Sequence, residues 1–180
     1  MLREIVKSMG VTMVDTASNG REALNHLKNK GYDIVICDYN LGFGQNGQQI
    51  LEESRLSSYI GLSTVWVMVT AEKTTDMVMS AAEIKPDDYL LKPLNQSLLE
   101  NRLKKLIAKK ASFSAIETAI KENEYAKAIA LCDQQLEARP PNQQDLLRIK
   151  SDLLLSSGAY ESARQGFQSV HQPMSPQDPR

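Results

Sequence analysis

Two short stretches constrain this chain more than anything else in it. Asp33–Cys37 (DIVIC) and Thr64–Val69 (TVWVMV) run almost unbroken in apolar, largely β-branched residues, at strand length. A strand that is apolar on both faces belongs inside a parallel sheet with helices covering both sides. The surrounding segments fit that arrangement. Helical spacing is predicted over Asn19–Lys30, where Ala23, Leu24 and Leu27 recur on one face and Gly31 sits where a helix stop belongs. Further helices are predicted at Gly47–Leu56, Thr74–Glu83 and Asn95–Ala108, the last with Asn95 as its cap. Val11–Asp15 (VTMVD) and Asp88–Leu91 are predicted as two more strands. Strands alternating with helices build right-handed βαβ units, and these predict a doubly wound α/β fold around a parallel sheet.

In such sheets, chemistry gathers at the carboxyl ends of the strands. That rule selects Asp38, Thr70 and Lys92, each closing a predicted strand. A lone strand-end aspartate is usually a turn or cap residue, a lone threonine a β-former, and a Lys-Pro pair a loop. The conjunction of three is what counts. A carboxylate at a sheet rim can attack a phosphoryl donor and form an acyl phosphate. An ammonium and a hydroxyl beside it can bind the phosphoryl oxygens. A cis Lys92–Pro93 bond would be one way to aim the lysine inward.

From Ser112 onward the pattern is helical only. Glu124-Tyr125-Ala126-Lys127-Ala128 returns as Ala159-Tyr160-Glu161-Ser162-Ala163, with Pro140-Pro141 between the copies and Gly158 before the second. Residues 173–180, rich in proline, are expected to be a disordered tail. A net charge of -1 gives no sign of a nucleic-acid surface. Cys37 and Cys132 lie far apart in apolar segments and read as reduced thiols of a cytoplasmic protein. No apolar run approaches the length needed to span a membrane, and MLREIVKSMG lacks the apolar core of a signal peptide.

The motifs resemble a known family. Tyr32-Asp33-Ile34-Val35-Ile36-Cys37-Asp38 is similar to the phosphoacceptor strand of the response regulator receiver domains of two-component signalling. Val69-Thr70-Ala71 resembles the strand carrying that family's switch hydroxyl. Asp87-Asp88-Tyr89-Leu90-Leu91-Lys92-Pro93 resembles its last strand, and Ser18-Asn19-Gly20-Arg21-Glu22-Ala23-Leu24 the start of its second helix. The resemblance covers residues 1–110 and implies a flavodoxin-like fold. It implies Asp38 as phosphoacceptor, Lys92 as its cationic partner, Thr70 and Tyr89 as the switch pair, and Mg2+ held by Asp38 and the Asn40 backbone carbonyl.

Two departures stand out. The family opens with a strand ending in an acidic pair that holds the metal. This sequence opens near the end of the first helix, at Leu2–Met9, so the first strand and the pair are absent from it; truncation upstream is the expected reason. Magnesium is therefore in doubt, since a hard cation wants carboxylate oxygen. The loop Leu41-Gly42-Phe43-Gly44-Gln45-Asn46-Gly47 is glycine-rich where the family often has proline, and its place beside the site bears on kinase docking.

The segment 111–172 resembles tetratricopeptide repeats through Tyr125 and Ala128, Pro140, and Phe167 after Ala163. The whole is read as a bacterial, cytoplasmic response regulator, not an enzyme. A histidine kinase or phosphotransfer protein would supply the phosphoryl group, and the helical tail would meet an output protein. No nucleic acid or membrane partner is expected, and a homodimer is left open. The alternative is a scaffold or dimerisation module that keeps the receiver fold without phosphorylation. A hydrolase of related fold ranks below both, because Asn40 stands where a second acid would be needed.

Overall fold

The computed structural model describes residues 2–71 and 84–158. It divides into two compact units, 1–112 and 113–180. The first unit has three parallel strands, β1 (Ile34–Asp38), β2 (Val65–Thr70) and β3 (Asp88–Leu91), in that spatial order. Its helices are α1 (Leu2–Ser8), α2 (Gly20–Asn29), α3 (Gly47–Leu56) and α4 (Gln96–Ala111).

The alternation of side chains along each strand splits the core in two. On one face Trp66 and Met68 of β2 pack with Cys37, with Leu27 of α2 and with Ile50 and Leu51 of α3. On the other, Val65 and Val67 pack with Leu90, with Ile5 of α1 and with Leu99 and Leu103 of α4. Every residue of β2 is buried, which is why its sequence has no polar face. Each fully buried Val, Leu or Ile side chain contributes ~1.5–3 kcal/mol to that core.

Local signals set the helix starts. The Asn19 side chain accepts the Glu22 N–H, and Asn95 accepts that of Leu98. Asn46 and Gln49 cap α3 reciprocally, each side chain accepting the other's backbone N–H. α2 ends without a left-handed cap: Lys30 is extended and donates its N–H to the His26 carbonyl, so Gly31 is not needed for the stop.

One prediction fails. Val11–Asp15 forms no strand, and Met13 is 86% exposed. Its β-branched residues favour extended backbone, but a ladder needs a neighbour, and among the described residues β1 pairs only with β2. The segment is tied down instead through Asp15, whose carboxylate accepts hydrogen bonds from Lys30 Nζ (2.9 Å) and the Tyr32 hydroxyl (2.7 Å). The helix predicted at Thr74–Glu83 lies outside the described residues.

The second unit, as described, is three helices: α5 (Ser114–Lys121), α6 (Tyr125–Glu137) and α7 (Gln143–Ser156). Its core is Ile116, Ala119, Ala128, Cys132, Leu146 and Leu153. Ala119 and Ala128 are fully buried, small residues that let adjacent helices approach closely. Tyr125 opens α6, and Pro140-Pro141 separate α6 from α7. The second copy of the repeat, with Tyr160, Ala163 and Phe167, lies outside the described residues. Among the described residues no helix is long and apolar enough to cross a membrane.

Candidate functional site

Asp38 is the last residue of β1, Thr70 the last of β2, and Lys92 the first beyond β3. Parallel pairing puts all three at one edge of the sheet. Backbone bonds lace that edge together: Tyr39 N–H donates to the Val69 carbonyl (2.7 Å), and Lys92 N–H to the Thr70 carbonyl (2.8 Å). The Lys92 ammonium hydrogen-bonds Asp38 Oδ2 as an ion pair. The Asn40 N–H donates to the other oxygen, Oδ1, at 3.2 Å. Both side chains of the pair reach solvent, Asp38 at 34% and Lys92 at 44% exposure. The carboxylate is thus oriented and accessible at once. The Lys92–Pro93 bond is cis.

Thr70 is 3% exposed and, by strand alternation, faces the same side as Trp66 and Met68. Tyr89, aligned with Met68 across the β2–β3 ladder, packs half-buried on that same face. The structure therefore brings Asp38 and Lys92 into contact, and sets Thr70 and Tyr89 on neighbouring strand positions beneath the edge.

Cys37 adjoins Asp38 and is buried. Burial, with a smaller contribution from the Asp38 charge, pushes its thiol up to about 12. The sequence reading missed Gly47. A Cβ there would meet the Asp38 carbonyl, and would lie 2.7 Å from Met68 Sδ and 3.1 Å from Cys37 Sγ. α3 starts flush against β1 only because this residue has no side chain. Its spacing after Asp38 was the one signal in the sequence.

The donor set for magnesium can be judged on these residues. Asp38 supplies one carboxylate, already engaged by Lys92, and position 40 a backbone carbonyl. Among the described residues no three Asp, Glu, His or Cys side chains cluster as a metal site. A divalent hard cation wants six or more oxygen ligands, with carboxylates among them. These residues alone do not fit it, and Lys92 is the cation the site itself provides.

A doubly wound parallel sheet with a carboxylate and an ammonium paired at its carboxyl edge defines a class, and the family model of that class matches. The response regulator receiver domain model covers residues 1–104, and the chain belongs to that family. Among its relatives is the chemotaxis protein CheY of Pseudomonas aeruginosa, 26% identical over 106 residues, which are 59% of this chain and 84% of that one. The chemotaxis protein CheY-3 of Vibrio cholerae is also 26% identical over 106 residues, 59% of this chain and 80% of its own length. In fold, the chain is similar to a CheY-like receiver domain from Methanospirillum hungatei, with TM-score 0.52, 21% identity, and 61% of this chain and 83% of that one covered. A two-component response regulator from Clostridium difficile gives TM-score 0.51 at 23% identity, with 59% and 84% covered.

Proposed function

We propose that this chain accepts a phosphoryl group on Asp38 from a histidine kinase or a histidine phosphotransfer protein. The contact between Asp38 and Lys92 at the sheet edge carries this reading. A carboxylate oxygen attacks phosphorus, the P–N bond of the donor phosphohistidine breaks, and its electron pair returns to the imidazole. Lys92 then neutralises charge on the phosphoryl oxygens. Thr70 is the hydroxyl that turns toward the new group, and Tyr89 the aromatic that follows it, so that the β3–α4 surface reports the change.

The role is signalling rather than turnover of a substrate, in a bacterial cytoplasm. Output passes through protein contacts of residues 111–172, read as tetratricopeptide-like, with 173–180 as a tail. Two-repeat arrays bury little on their own, which supports a partner for that surface.

Incubation with acetyl phosphate and magnesium chloride, followed by intact mass measurement, tests the reading. One phosphoryl increment is expected, sensitive to hydroxylamine and lost in Asp38→Asn. No increment, or one that persists in Asp38→Asn, overturns it.

The lack of a three-ligand acidic cluster among the described residues supports a second reading, a phosphorylation-independent scaffold. Beryllium fluoride separates the two: an acceptor site shifts the amide resonances of Thr70 and Tyr89, and a scaffold leaves them in place.

A further inference from the structure

Helices α2 and α3 flank a cleft of about 320 Å3, at the small end of the range of ligand cavities, roughly 300–1,000 Å3. From α2 it takes Arg21, Asn25 and Lys28, spaced i, i+4, i+7 and therefore on one helix face. Leu24 and Tyr59, half-buried against the core, supply its apolar part. The wall is braced: α2 lies directly on α3 at its first residue, where a Cβ on Gly20 would stand 2.9 Å from Ile50 Cδ1. Among the described residues, the side chains of Arg21, Asn25, Lys28 and Tyr59 make no hydrogen bond or ion pair. The cleft's one acid is placed differently. Glu53 Oε2 accepts from Gln45 Nε2 at 2.7 Å, which fixes the carboxylate and leaves its second oxygen for another donor. Two cations, an amide, a phenol and a held carboxylate thus share one metabolite-sized space, and none of them belongs to the edge of Asp38, Thr70 and Lys92.

We propose that this cleft binds a small phosphate monoester that also carries hydroxyl or amino donors, a sugar phosphate or a nucleoside monophosphate. Two cations call for two negative charges, and a phosphate monoester carries about that many near neutral pH. The Arg21 guanidinium offers the planar fork that matches phosphate oxygens, and Lys28 adds a point charge. Glu53 accepts from the ligand's hydroxyl or amino group and disfavours a second anion at that place. The Tyr59 ring and Leu24 receive the ligand's less polar face. The site is independent of the reading of Asp38 as acceptor, since no bond of the ligand is broken and no group is transferred.

The test titrates adenosine monophosphate, ribose 5-phosphate and inorganic phosphate into the full chain and follows backbone amide resonances. The two esters are expected to shift Arg21, Asn25, Lys28 and Tyr59 and to bind more tightly than inorganic phosphate. Arg21→Gln is expected to weaken the esters by about tenfold or more, as loss of a charged hydrogen bond does, and Arg21→Lys to recover part of that. Glu53→Gln is expected to weaken the esters and leave inorganic phosphate unaffected. Tighter binding of adenosine monophosphate than of ribose 5-phosphate assigns a nucleotide, and equal binding a sugar phosphate. No shift at millimolar ester overturns the inference. Shifts centred on Lys92 overturn it too, as does inorganic phosphate binding as well as the esters, which would mark an adventitious ion only. Ester affinity unchanged in Arg21→Gln, with the urea midpoint also unchanged, overturns it as well.

Discussion

The site depends on residues whose neighbours matter more than their type. The places of Asp38 and Lys92 at the strand ends were legible because each closes an apolar run, and strand ends are where a parallel sheet exposes side chains without disordering them. Gly47 was not legible in that way. Its lack of a side chain is required by Met68, Cys37 and the Asp38 carbonyl, and no local pattern announces that approach. Gly47→Ala is expected to destabilise the first unit by about 2 kcal/mol, as overpacking does, read as a lower urea midpoint with unchanged slope. An unaltered midpoint would mean that α3 shifts freely. Cys37 gives a second prediction at this scale. Its thiol sits at about 12 in the folded chain against 9.0 ordinarily. A raised value favours the protonated form, so its contribution is fully present below pH 9 and is lost as pH rises from 9 toward 12. At pH 8 iodoacetamide should label Cys37 only after unfolding; rapid labelling of the native chain would contradict the burial.

Elements read from apolar runs fared differently from one read on propensity alone. β1, β2 and β3 lie where the unbroken or aromatic-rich runs lie, because burial on both faces leaves that imprint. Val11–Asp15 has the same residue types, yet forms no ladder, because pairing is a property of two segments and only one is written there. α4 shows what sequence spacing hides. Its last turn carries Lys110, 9% exposed, which pairs with Asp87 at 3.0 Å and donates to the Leu62 carbonyl at 2.9 Å. Asp87 in turn accepts the Trp66 N–H at 2.7 Å. This ties the end of α4 to the amino-terminal edge of the sheet. A cluster of lysines normally reads as a solvated face, and nothing marks one member as buried. Lys110→Met leaves the Asp87 carboxylate without its cation and should cost about 3 kcal/mol. Chemical denaturation checks this, and restoration of part of the loss by adding Asp87→Asn would identify the stranded charge as the cause.

At the scale of the whole molecule, two units each bury their own core, and each holds one buried thiol. Cys37 belongs to the sheet and Cys132 to the three helices, where burial pushes the thiol up to about 11. Labelling followed against urea should give separate midpoints for the two cysteines, as expected of units with independent cores; a single shared midpoint would show them to unfold as one. The change from alternating to purely helical pattern made this division legible in the sequence, while the repeat reading depended on residues beyond 158. The central claim is narrower: one carboxylate at the sheet edge takes the phosphoryl group. After exposure to acetyl phosphate, reduction with tritiated borohydride converts an aspartyl phosphate to labelled homoserine at its own position. The account predicts label at position 38 and nowhere else. Label at another acidic residue, or none, would contradict it.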